Sequence, residues 1–123
     1  RVFGGPIPVT VGYCLKETVE KSPDLVQAYV NACYRAQQWI RRAKDDEIVE
    51  LLHKPYMDAF TREVVLDSVR YYRTIFDWDF VVEEADYARG EKVWIPTALD
   101  KPIPYTKAVD MSFVRKAQAK YKS

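Results

Sequence analysis

Few side chains in this sequence combine a reactive residue type with a spacing that chemistry could use. His53 is the only histidine of the 123 residues, and Cys14 and Cys33 are the only cysteines. These counts leave no CxxC motif, no histidine pair for a metal and no histidine with a defined nucleophile beside it. We expect a structural role for His53 near the end of a helix and no catalysis. For the cysteines we expect two small buried apolar side chains, or a disulfide between them.

Acidic residues form two clusters that could act as paired carboxylates or hold calcium. They lie at residues 45–47 and 83–86. Neither cluster has the alternating acids, the central glycine and the terminal glutamate of an EF-hand loop. Acids also collect in the first turn of helices, where the helix dipole favours negative charge. We therefore interpret both clusters as helix starts and predict no metal site. The four glycines show no phosphate-binding motif, so no cofactor is predicted either.

A pair of tyrosines between two arginines could stack on nucleic-acid bases. These residues are Arg70, Tyr71, Tyr72 and Arg73. However, 19 lysines and arginines are balanced by 18 acids, and the resulting net charge of +1 gives no electrostatic preference for polyphosphates. Tyr72 also falls on the apolar stripe of a predicted helix. We expect Tyr72 to pack in a core or an interface, and we expect no nucleic-acid partner.

The elements that must position these residues are mainly helices. The tripeptide Ser22-Pro23-Asp24 combines a hydroxyl N-cap, a proline at the first helical position and an acid in the first turn. Helices are predicted over about residues 23–42, 46–53, 62–76 and 111–121, with a weaker pattern near 83–94. The second of these is expected to stop before Pro55. The apolar stripe of the third is broad, which suggests contact on more than one side.

One segment has the period of a strand. Val9, Val11, Tyr13 and Leu15 alternate with small or polar residues, which predicts a strand over residues 8–15. A lone strand leaves its backbone N–H and C=O groups unpaired. Either the proline-rich tail supplies a partner strand, or the missing sheet belongs to another segment or another chain.

Two stretches carry a resemblance to a known family. Residues 20–32 (EKSPDLVQAYVNA), followed by residues 35–40 (RAQQWI), resemble a segment of the nitrate/sulfonate/taurine type of solute-binding protein. In that family a strand leads into a helix that opens with a Lys-x-Pro-Glu/Asp-x-Val pattern. Residues 110–114 (DMSFV) with Ala117 are similar to the Asp-x-Ser-Phe/Leu opening of the family's last helix. The order and spacing of these matches agree across nearly all of the chain.

This resemblance implies a fold and a function. The fold would be α/β, of the two-lobe periplasmic binding protein type (the second type). Residues 1–123 would then be a single partial domain, the C-terminal portion, mostly helical with one or two strands. The chain would bind a small organic molecule or an oxyanion reversibly, outside the cytoplasm or in the periplasm, although no signal peptide is recognisable in it. Its partners would be the remainder of the binding protein and the membrane subunits of an ABC importer.

The ligand contacts that the resemblance implies are Thr10 and Tyr13, because the matching family strand runs toward the cleft and both side chains have polar tips. Two other functions stay open. One is a stand-alone helical interaction module that binds a protein, or a second copy of itself, through its aromatic surface. The other is a thiamin-pathway synthase of a pyrimidine precursor, since the same lineage contains such enzymes. That enzyme needs reactive histidines or cysteines, and those of this chain match no such motif.

Overall fold

The computed structural model describes residues 3–98 and 100–121, and 66% of these residues are helical. This part of the chain contains no strand. The α/β fold of a periplasmic binding protein, predicted from the resemblance, is therefore wrong for this chain. The described residues form seven helices: α1 (Lys16–Lys21), α2 (Pro23–Arg42), α3 (Asp45–Tyr56), α4 (Arg62–Arg73), α5 (Glu84–Ala98), α6 (Tyr105–Ala108) and α7 (Ser112–Lys120).

The strand predicted over residues 8–15 does not form. Residues 3–14 make no backbone–backbone hydrogen bond with any other described residue. The proline-rich tail, which could have supplied a partner strand, instead continues α5 past Pro96 and then forms α6. A strand forms only when a second strand pairs with its backbone. The alternating segment has no such partner among the described residues, so it does not form a strand.

The predicted helices are present, with corrected ends. α2 spans Pro23–Arg42 as predicted, and the Ser22 carbonyl accepts the N–H groups of Leu25 and Val26. The expectation that the second helix stops before Pro55 is wrong, because α3 continues to Tyr56. Pro55 lies in the last turn, where its missing N–H costs a single hydrogen bond, and the N–H of Met57 still reaches the His53 carbonyl. α4 begins after the Thr61 cap and ends three residues earlier than predicted.

The described chain divides into two compact units. The central unit contains residues 32–80, and the terminal unit contains the described residues before 32 and after 80. The central unit has an apolar core between α3 and α4, with partly buried side chains packed against it. Its buried members are Ala43, Ile48, Val49, Val65 and Val69.

The terminal unit packs α7 against the first half of α2. Phe113, Val114 and Ala117 of α7 are buried. The Gln27 amide of α2 donates to the Phe113 carbonyl at 2.9 Å. On α5, Tyr87 is buried and its ring meets the ring of Trp94 edge-on at a centroid distance of 5.7 Å. These contacts make the aromatic residues of α5 part of the structural core of this unit.

Tyr87 makes the stability of the terminal unit depend on pH. Its hydroxyl donates to the Ile103 carbonyl at 2.8 Å. Burial, aided by the negative charge of Glu91, raises the pKa of Tyr87 above its ordinary value of 10.0. A folded-state pKa above the unfolded one stabilises the fold below about pH 10, and this contribution is lost as the pH rises further.

We expect Tyr87→Phe to remove both the hydrogen bond and this pH dependence. At pH 8 the free energy of unfolding of the variant should be about 1 kcal/mol lower than that of the wild type, and this difference should narrow above pH 10.5. Urea unfolding of both proteins across this range measures the gap, since the titration of other groups cancels in the difference. A gap that is constant or widens with pH would contradict the role assigned to Tyr87.

Candidate functional site

The two residues predicted to contact a ligand do not meet in a cleft. Thr10 is exposed, and Tyr13 exposes 94% of its surface. Nothing in the described part of the chain encloses a molecule against Tyr13. The cysteines are both free, so the disulfide does not form, and Cys14 is exposed while Cys33 is half-buried. The expectation of two buried apolar side chains is therefore wrong for Cys14 and only partly met by Cys33. None of the described helices is long and apolar enough to cross a bilayer.

The other candidates for chemistry hold the fold together. Nε2 of His53 lies 2.9 Å from the Phe60 carbonyl oxygen and ties the end of α3 to the following turn. The acidic cluster at residues 45–47 forms ion pairs with α4 and caps α3. No group of three metal-ligating side chains occurs among the described residues. The structure therefore places these residues in structural roles.

Many large hydrophobic side chains of the chain are exposed. Ten hydrophobic residues of the described chain are buried, whereas seventeen large hydrophobic residues are exposed. Exposed hydrophobic side chains that are scattered singly are normal, but a group of them in contact with one another commonly marks an interaction site.

The largest aromatic group lies at the end of α4, and we call it the α4 face. It consists of Tyr71, Tyr72, Ile75, Phe76 and Trp78. Ring centroids are 5.8 Å apart from Tyr71 to Tyr72, 6.1 Å from Tyr72 to Phe76 and 5.4 Å from Phe76 to Trp78. The first two rings are exposed by 63% and 53%, Ile75 by 56% and Phe76 by 38%. The rings support one another from the side while their outer surfaces face solvent.

The turn that carries Trp78 is held by side chains of α2. The Gln37 amide donates to the Asp77 carbonyl at 2.6 Å, and the Gln38 amide donates to the Trp78 carbonyl at 2.7 Å. The Asp77 carboxylate accepts the N–H of Asp79 at 3.1 Å, which closes the turn locally. Gln38 is itself buried. The α4 face is thus fixed in position by hydrogen bonds to the helix behind it.

A shallow depression of about 570 Å³ lies on α3 beside Trp39 of α2, and its other lining residues are Asp46, Glu47, Glu50 and Leu51. Its carboxylates already have partners. Arg62 pairs with Asp46 at 2.6 Å and with Glu50 at 3.4 Å, and these hydrogen bonds raise the pKa of Arg62. Glu47 accepts the N–H of Lys44 at 2.9 Å. This depression offers an apolar patch with a largely neutralised rim.

The sequence pattern placed three members of the α4 face on the predicted helix, namely Tyr72 and Phe76 on its apolar stripe and Ile75 at the edge that broadens it. Tyr72 was expected in a core or an interface, and it lies on this surface. The signal for Ile75 is the breadth of the α4 stripe, which is too wide for a single buried side. Trp78 carries no such signal, because its position depends on the turn that Gln37 and Gln38 hold.

Comparison with known proteins identifies no relative. No protein family, curated protein or solved structure matches the chain.

Proposed function

We propose that the chain is a helical protein-interaction module that binds a different protein through the α4 face. The observation that carries the proposal is the row of mutually supported rings from Tyr71 to Trp78, in which all but the half-buried Trp78 are exposed. Tyrosine and tryptophan dominate the energetic centres of protein interfaces, because each offers a large area for few rotatable bonds. The turn beneath the row is already hydrogen bonded, so little conformational entropy remains to be lost on binding.

A protein partner fits this surface better than a small molecule or a nucleic acid. The α4 face is open, whereas ligand sites for small molecules are concave and converge polar groups on one point. The arginines beside the tyrosines are occupied within the unit. Arg73 pairs with Asp45 at 3.0 Å, and Arg70 pairs with the same carboxylate at 3.3 Å. These guanidinium groups are engaged, so they offer little to a phosphate.

The solute-binding function stays a prediction with less support. The fold that it requires is wrong for this chain, and Thr10 and Tyr13 line no cleft in the described residues. What remains is the sequence resemblance, whose two helix starts coincide with the beginnings of α2 and α7. Well-formed helix starts are common to many folds. No observation favours the synthase alternative.

A photo-crosslinking experiment tests the proposed function. We would place a photoreactive phenylalanine analogue at position 71 or at position 56, in cells that make the protein. Tyr56 lies on α3, away from the α4 face, and is 76% exposed. We expect position 71 to yield one adduct with a different protein and position 56 to yield none.

Two matched serine variants sharpen this test. Ile75→Ser changes the α4 face, and Leu51→Ser changes the depression on α3; both residues are 56% exposed. We expect Ile75→Ser to reduce the adduct at least tenfold and Leu51→Ser to leave it unchanged, with both variants as helical as the wild type. Absence of an adduct, an adduct only with a second copy of the chain, or equal loss in both variants would overturn the proposal.

A further inference from the structure

The segment before α1 leaves both its apolar side chains and its backbone uncovered. Val9, Val11, Tyr13 and Leu15 are exposed by 83%, 50%, 94% and 73%. No backbone group from residue 3 to residue 14 bonds to another backbone group of the described chain. Water satisfies such backbone groups, but the alternating apolar side chains gain nothing from it. This combination is what a strand presents before it meets a partner.

We propose that residues 7–15 pair with the same residues of a second copy of the chain, as a two-stranded antiparallel ribbon across a two-fold axis. The proposal uses the terminal unit and is independent of the α4 face. Every odd-numbered position from Ile7 to Leu15 is apolar. Pairing centred on Val11 sets Val11 opposite itself, Val9 opposite Tyr13 and Ile7 opposite Leu15. All five apolar residues of one copy thus face apolar residues of the other.

The prolines of the segment agree with this pairing. In an antiparallel pair, the N–H and C=O groups of alternate residues point to the partner, and those of the residues between point away. Pro6 and Pro8 both occupy even positions. Their missing N–H groups therefore fall on the outer edge, where proline is tolerated. The pairing edge keeps an N–H at every odd position.

The contacts within the terminal unit point the same way. The carbonyl of Pro6 accepts a hydrogen bond from Nε of Arg89 at 2.8 Å. An even-numbered carbonyl is thus turned toward the chain's own α5, and an extended backbone turns the odd-numbered groups to the other side. Of the odd-numbered carbonyls from Ile7 to Leu15, that of Leu15 already accepts the N–H groups of Thr18 and Val19, so the ladder of hydrogen bonds ends there. A bend at Thr10 must straighten when the ribbon forms. Straightening the bend costs free energy, which weakens the association and raises the protein concentration at which dimers form.

A helix of the chain lies against one face of the segment. The ring of Tyr29 of α2 lies beside the position that a side chain at Gly12 would occupy, so α2 covers the face of the even-numbered residues. A two-stranded ribbon alone is marginally stable in water, and contact of the ribbon with α2 adds to its stability. The odd-numbered apolar side chains lie on the opposite face, where they contact those of the second copy across the ribbon. A second copy is therefore a partner whose apolar pattern and free edge are both present in the chain itself.

Cysteine cross-linking tests the register. In a background of Cys14→Ser and Cys33→Ala, the Val11→Cys variant places two thiols opposite each other, with Cα atoms about 5.5 Å apart, within disulfide range. The Tyr13→Cys variant places its two thiols about 14 Å apart along the ribbon. We expect mild oxidation to form the Val11→Cys dimer at least tenfold faster than the Tyr13→Cys dimer. Equal rates, or no dimer in either variant, would refute the register.

Proline substitutions test the backbone pairing separately. Val11→Pro removes an N–H from the pairing edge, Thr10→Pro removes one from the outer edge, and Val11→Thr keeps the N–H while reducing the apolar area. Sedimentation equilibrium over a range of concentrations should show dimers for the wild type, Thr10→Pro and Val11→Thr. We expect Val11→Pro to weaken the association at least tenfold. A monomeric wild type, or equal effects of the two prolines, would overturn the proposal, whereas loss of the α4-face adduct would leave it intact.

Discussion

Ile48→Ala is expected to lower the free energy of unfolding of the central unit by about 3 kcal/mol. Ile48 exposes 3% of its surface and packs in the core with Val49 and Val65, which expose 0% and 1%. Truncation removes buried methyl groups and leaves a cavity that the small core cannot fill. Because whole domains are stable by only about 5–15 kcal/mol, the loss is a large share of the total. Urea unfolding followed by far-UV circular dichroism measures it.

Leu51→Ala is the matched control for this prediction. Leu51 lies on the same helix, three residues further on, and is 56% exposed. Its truncation removes similar atoms from solvent rather than from the core, so we expect a change within about 0.5 kcal/mol. If both variants lost the same stability, then the burial of Ile48 would not be what holds α3 to α4.

The helices could be predicted from the sequence because their signals are local. The cap at Thr61 accepts the N–H of Val64, as its residue type suggests, and the proline at position 23 begins α2. The ends were less accurate where a local rule was too strict. Pro55 is tolerated in the last turn of α3, and Gly90 and Pro96 lie inside α5. α1 was missed because it is only six residues long and directly follows an alternating segment.

The strand prediction was wrong because a strand needs both alternating side chains and a hydrogen-bonding partner, and the alternation indicates only the first of these. Side chains of the N-terminal segment have the right period, but hydrogen-bonding partners come from elsewhere in a fold, and the described chain offers no strand edge. The resemblance to solute-binding proteins led to the prediction of a sheet that the described part of the structure does not contain. The same pattern that misled the fold prediction supports pairing between two copies, because the pattern is satisfied only when a second edge is present.

The candidate interaction surface could be predicted only in part. Periodicity placed Tyr72 on an apolar stripe, but a stripe does not say which of its edges will be buried. The packing of α3 decides this, since it covers Val65 and Val69 and leaves Tyr72 and Ile75 uncovered. Such a choice depends on contacts between helices, which no local pattern contains.

Arg73→Met is expected to destabilise the central unit by about 2 kcal/mol. Nη1 of Arg73 donates to the Ala43 carbonyl at 2.8 Å and to the Asp45 carboxylate at 3.0 Å, and Nη2 donates to the Arg41 carbonyl at 3.0 Å. Carbonyls at the end of a helix have no partner within the helix, so this one guanidinium completes the end of α2 and fixes it to α4. Methionine keeps the apolar stem but leaves these acceptors without their donor.

Two further variants separate the hydrogen bonds from the charge. Arg73→Lys keeps the charge but loses the planar fork that reaches three acceptors, so about half of the loss should remain. Arg70 is the more exposed partner of Asp45, because its side chain is 59% exposed and that of Arg73 is 26% exposed. Arg70→Met should therefore lower the free energy of unfolding by well under 1 kcal/mol. Urea unfolding at low salt and in 1 M NaCl compares all three variants. Salt screens the attraction between two charged side chains more than it weakens a short hydrogen bond from a guanidinium to a neutral carbonyl, so the Arg73→Met loss should largely persist in NaCl. An Arg70→Met loss equal to that of Arg73→Met would assign the stability to charge pairing with Asp45 instead.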